Sequence, residues 1–137
     1  MLLEAVISKK EMFMKEATQE LEKFFQVAVV YQKKTNKPAR MMSCIVDEAW
    51  HQILKDELGY QNFCNNVVGQ VLPHNQVKGF GVIGWTSIYE DMFGQLPEIW
   101  FRNSDGDLDS NTYQKYLKTG IIEAAWDCTP YNPDFPK

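Results

Sequence analysis

Ser43-Cys44-Ile45-Val46-Asp47-Glu48-Ala49-Trp50-His51-Gln52-Ile53-Leu54-Lys55-Asp56 is the stretch on which the fold turns. Ser43 can cap a helix, because its hydroxyl can accept from a first-turn amide that has no partner inside the helix. Val46, Ala49, Trp50, Ile53 and Leu54 then recur at three- and four-residue steps, the apolar stripe of a helix running to about Asp56. Cys44, Asp47 and His51 flank that stripe, and the four-residue step from Asp47 to His51 sets one above the other. The segment therefore predicts a helix with a core face and a polar seam.

The flanking sequence extends the pattern in both directions. Upstream, Ser8-Lys9-Lys10-Glu11 has the form of a capping box. Phe13, Ala17, Leu21, Phe24, Ala28 and Tyr31 follow as one stripe, and Pro38 stops it, which predicts a helix over 9–35. Downstream, Tyr60, Phe63, Cys64, Val67 and Val68 mark a third helix closed by Gly69. Trp85, Ile88, Tyr89, Met92 and Phe93 repeat that spacing in a fourth, closed by Gly94. A fifth starts near Asp109 or Ser110, includes Tyr113, Tyr116 and Leu117, and stops at Gly120. Residues 72–81 and 95–106 read as loops, 121–126 as a strand or a helical turn, and the Pro130, Pro133 and Pro136 segment as an extended tail. The expectation is an all-α fold: one domain over 1–137, a bundle of about five helices with long loops. Trp50, Phe63, Val67, Trp85, Tyr89 and Phe93 should share its core.

A chain of 137 residues suits one domain with a real core. Eighteen acidic against fourteen basic residues give a net charge of −4, which argues against a nucleic-acid partner. No apolar run approaches the roughly 20 residues that span a bilayer, and the N-terminus lacks the order of a signal peptide. Cys44, Cys64 and Cys128 are widely spaced with no C-x-x-C pair, as expected of reduced thiols in a cytoplasmic protein.

His51 and His74 are the only histidines. His74 lies in a proline-containing segment that can fold back over the seam of the second helix. Asp47, His51 and His74 therefore form a candidate site. Two imidazoles and a carboxylate suit a divalent metal such as zinc, and the same groups suit proton transfer or plain structural hydrogen bonding. Cys44 is a further candidate ligand. A Cys64 pairing with either histidine has no support beyond the residues themselves. Asp105-Gly106-Asp107-Leu108-Asp109 fails the full calcium-loop pattern and reads as an acidic helix cap. The basic run from Lys33 to Arg40 reads as a phosphate or nucleic-acid site or, preferably, as a solvated helix end, since no aromatic is interleaved to stack a base. Gly79, Gly81 and Gly84 have no phosphate-loop spacing. Trp50, Trp85, Trp100 and Trp126 read as core rather than as a ligand cage, with Trp100 and Trp126, near loops, the two placed to line a pocket if one exists.

Val46-Asp47-Glu48-Ala49-Trp50-His51, followed by Tyr60, Phe63-Cys64, Gly69 and His74 and later by Tyr89, Phe93-Gly94, Pro97 and Trp100, resembles a bacterial family of uncharacterised function. It is also similar to the N-terminal region of plant glycine-rich domain-containing proteins, which carry a V-D-x-x-W-H segment. The likeness covers about residues 20–100. It implies a helical fold in which Asp47, Trp50, His51 and His74 recur as a set, and it carries no settled activity. Plant members often have a further histidine where this chain has Gln52 and Ile53. With no complete catalytic set, the leading expectation is a small protein-binding adaptor or accessory module. The alternative is a metal-binding protein, or metal-dependent enzyme, built on Asp47, His51 and His74.

Overall fold

The computed structural model describes residues 8–133. Its first helix, α1 (Lys9–Thr35), opens on the capping box read from the sequence. The Ser8 hydroxyl accepts from the Glu11 amide at 3.1 Å, and the Glu11 carboxylate accepts from the Ser8 amide at 3.2 Å. The helix closes on Asn36 at φ 59°, a left-handed conformation that asparagine tolerates. Next comes α2 (Cys44–Leu54), capped by the Ser43 hydroxyl accepting from the Val46 amide at 3.2 Å. Its end falls two residues before Asp56, which instead leads into α3 (Glu57–Val68). Gly69, at φ 74°, ends that helix as its position predicts. After α4 (Thr86–Phe93) and a 3-10 turn at Glu98–Phe101 comes α5 (Ser110–Thr119).

The core wraps α1, which packs on α2, α3, α4 and the 3-10 turn. Phe24 sits at its centre, with the rings of Trp50, Trp85 and Trp100 at 6.2, 5.2 and 5.9 Å. Trp50, Trp85 and Tyr89 are buried as expected, and Phe63 and Val67 pack partly buried against the same core, Phe63 on the Phe25 ring at 5.7 Å. Phe93 departs from expectation: it lies 36% exposed at the rim, where the Lys23 ammonium covers its ring at 5.5 Å. Met92, in the same last turn of α4, is likewise exposed. Glu20 sits among these aromatics, buried. Its carboxylate accepts from the Tyr89 hydroxyl, from Trp100 Nε1 at 2.9 Å and from the Lys23 ammonium at 3.0 Å. A buried carboxylate is tolerated when hydrogen bonds replace its water.

The all-α expectation needs correction. The fold is mostly helical, but it includes a two-stranded antiparallel sheet of β1 (Asn75–Val82) and β2 (Glu123–Thr129). The first strand covers residues read as loop from their glycines and polar side chains. Those glycines are an adaptation to the sheet. Gly79 pairs with Trp126, and a Cβ there would stand 2.6 Å from the indole; one at Gly81, on the same face, would stand 3.4 Å away. Gly79-Phe80-Gly81 thus clears one face of the strand for a tryptophan. The unclassified segment 121–126 resolves as the approach to β2 and its first part. Beyond it, the Gln32 amide donates to the Asn132 carbonyl at 2.6 Å, fastening the tail to α1. The rest of the expected extended tail, 134–137, and the N-terminal residues 1–7 lie outside the described residues. No described helix is long and apolar enough to cross a membrane.

Candidate metal centre

The Ser43 cap fixes the start of α2 and so the direction in which Asp47, in its first turn, projects. His51 lies one turn further along. His74 arrives from the link between α3 and β1, and buried hydrogen bonds set that link. The Tyr60 hydroxyl donates to the Leu72 carbonyl at 2.6 Å and accepts from Trp50 Nε1 at 3.0 Å. The chain is thereby anchored two residues before His74, whose ring meets the Trp50 indole at 4.4 Å and 83°. Burial pushes the Tyr60 phenol well above its usual range, so it remains a donor. Cys128 comes from β2, where the Met41 amide donates to its carbonyl at 2.8 Å and its thiol is buried.

These segments meet on one carboxylate. His74 Nε2 lies 3.3 Å from Asp47 Oδ1, and the Cys128 thiol donates to the same oxygen at 3.1 Å. His51 Nε2 lies 3.3 Å from Asp47 Oδ2, and the two imidazole rings stand 4.6 Å apart at 85°. Side-chain exposure grades from 13% at His74 and 18% at Asp47 to 52% at His51. The site is closed on the core side and open at His51.

Burial alone would raise the Asp47 pKa. The hydrogen bonds from His74 and Cys128 and the nearby charge of the two histidines outweigh it, and the carboxyl is held below its ordinary range. Cys128 goes the other way. Burial, the Asp47 charge and the hydrogen bond it gives to that carboxylate push its thiol far up. As it stands, then, the centre is a carboxylate gripped by donors. A divalent cation would reverse this balance by taking the carboxylate and expelling the thiol proton, because a coordinating thiol is deprotonated outright.

Asp47, His74 and Cys128 each offer one ligand atom, all within 4.8 Å of one another, and could hold a metal ion. Ligands about 2.0–2.3 Å from a tetrahedral ion stand about 3.3–3.8 Å apart. The 3.3 and 3.1 Å separations from Asp47 approach that spacing. Asp47, His51 and His74, expected to converge from sequence, do so. His51, though, meets the centre through the second oxygen of Asp47 and lies outside the three-atom group. Cys44 also lies outside it. It is exposed at the start of α2 and lines, with Asp47, a cavity of about 360 Å³. Cys64 is buried and takes no part. Asp109 acts as the predicted cap: its carboxylate accepts from the Thr112 amide at 3.1 Å and the Thr112 hydroxyl at 2.6 Å. Cys128, the third member of the group, has no signal in the sequence. It lies 81 positions from Asp47, in a segment whose conformation no local pattern settled.

A scan against protein-family models and searches of curated proteins and of solved structures return no match to this chain.

Proposed function

We propose that this protein binds one divalent transition-metal ion, with zinc the best match to the donors. Asp47, His74 and Cys128 are its ligands, and His51 supplies the fourth donor from the solvent side. The observation that carries this reading is the meeting of three chemically different ligand atoms, from α2, the α3–β1 link and β2, within 4.8 Å. A carboxylate, an imidazole and a thiolate all belong to the zinc ligand repertoire, and the thiolate disfavours magnesium and calcium, which take oxygen. This reading takes precedence over the adaptor expectation, which rests on a missing catalytic set alone.

Position indicates what the ion does. It ties the two-stranded sheet to the helical core, joining residues 47, 74 and 128. Such a clamp stabilises the fold by adding binding free energy to the folded state only. His51 is the one proposed ligand open to solvent, so an incoming donor can displace it without unfolding anything.

Metal analysis of protein purified without an affinity tag tests the proposal. About one equivalent of zinc is expected, retained by Cys64→Ser and lost from Cys128→Ser and Asp47→Ala. Cobalt substitution gives an independent readout, since thiolate-to-cobalt charge-transfer absorption should appear in the parent and vanish in Cys128→Ser. A parent that takes up neither ion after reduction and refolding with metal would overturn the reading.

A further inference from the structure

The end of the basic run, from Lys37 to Arg40, borders a cavity of about 300 Å³ on the face where Trp126 crosses β1. Lys37 and Arg40 line it, together with Tyr31, Trp126 and the backbone at Gly84. Among the described residues no acidic side chain lines it, in a chain whose acidic residues outnumber its basic ones by 18 to 14. Arg40 is half-buried, with its guanidinium 4.5 Å from the centre of the Trp126 ring. That ring is itself held flat against Gly79 and Gly81. Stacking leaves the in-plane N–H groups of the guanidinium available, and neither Arg40 nor Lys37 makes a side-chain ion pair among the described residues. The same indole carries the one buried side-chain nitrogen without a hydrogen-bond partner among those residues. Gly84 leaves room for Tyr31, because a Cβ there would overlap the Tyr31 hydroxyl and displace it.

We propose that this cavity binds the phosphate group of a small phosphomonoester. Arg40 provides a paired donor fork, Lys37 a second positive charge and Tyr31 a hydroxyl, a set that matches a phosphate dianion. The interleaved aromatic that the basic run lacks in sequence comes from Trp126, 86 positions beyond Arg40 in the chain. The cavity exceeds a bare phosphate and sits at the small end of ligand pockets, about 300–1,000 Å³, so the ester carries a compact organic group. Its size and single stacked indole favour a small molecule over a nucleic-acid strand, which would need a groove tracking several phosphates. The site is separate from the metal centre and does not depend on it.

Titration of the full chain with phenyl phosphate, inorganic phosphate and a single-stranded oligonucleotide, followed by calorimetry, tests this. Phenyl phosphate should saturate one site, with inorganic phosphate binding the same site more weakly. Arg40→Gln should weaken phenyl phosphate binding by about tenfold or more, the loss of a charge-assisted pair. Lys37 is exposed, so Lys37→Gln leaves the fold intact and should weaken binding severalfold, while Lys118→Gln, on α5, should not change it. Binding of phenyl phosphate that neither Arg40→Gln nor Lys37→Gln reduces would overturn the proposal. So would no saturable binding, or an oligonucleotide binding more tightly than phenyl phosphate.

Discussion

Trp50 and His51 are adjacent in the chain and occupy different chemistry. Trp50 lies on the inner face of α2 with Ile45, Val46 and Ala49, all buried, and its indole N–H is taken up by Tyr60. Asp47 and His51 lie on the flank, where the helix meets the α3–β1 link and β2. On the inner face each group is satisfied by packing or a hydrogen bond. On the flank, one carboxylate is shared by two imidazoles and a thiol. A face of the first kind supplies stability. A face of the second kind holds polar groups together at close range, and a metal ion would relieve their competition for the same two oxygens.

The contrast can be broken most forcefully at Trp50. Trp50→Ala should cost about 3–5 kcal/mol, since it opens a cavity beside Phe24 and Phe25 and leaves the Tyr60 hydroxyl without a donor. A thermal melt within a degree or two of the parent would show that the inner face is not the core. On the flank, zinc at about a hundredfold over its dissociation constant should raise the unfolding free energy by about 2.7 kcal/mol. Asp47→Ala should abolish that gain, and a chelator should reverse it in the parent. An undiminished zinc effect in Asp47→Ala would move the site elsewhere.

A pH series sharpens the same comparison by a smaller margin. Asp47 is depressed in the folded protein, so on acidification the unfolded chain takes up its proton first. Its stabilising contribution is complete above the ordinary aspartate value of 3.8 and is lost as the pH falls through the lower folded value. Metal-free Asp47→Asn should therefore show a shallower loss of stability over that acid window than the metal-free parent. Parallel curves would show that the carboxylate is not held by its neighbours. The smallest effect is expected at His51, which is half-exposed. His51→Ala should change metal-free stability by less than about 0.5 kcal/mol while weakening zinc binding measurably. A zinc affinity equal to the parent's would remove His51 from the ligand set.

The sheet and the centre were legible to different degrees. Asp47 and His51 could be paired from sequence because the helix repeat fixes their relation within one turn. His74 could be offered as a third partner only because its segment is free of helical pattern. Gly79 and Gly81 misled in the opposite sense, since small residues that signal a loop also mark a strand crossed by a large ring. Glu20 gave no signal, because a glutamate on a long helix is ordinarily solvated.

Local sequence by itself determined the helices. Ser8 with Glu11, Ser43, Gly69, Asp109 and Gly120 act on amides and carbonyls within one turn, and the apolar steps of α1 and α2 choose the buried face. These forces operate over about four residues and leave their mark in the spacing. Tertiary structure alone decided what met across the chain: Cys128 on Asp47, Trp126 between Gly79 and Arg40, and Glu20 beneath Tyr89 and Trp100. Those contacts join positions 47 to 86 residues apart. They are selected by the packing of whole elements, which no short window of residues encodes.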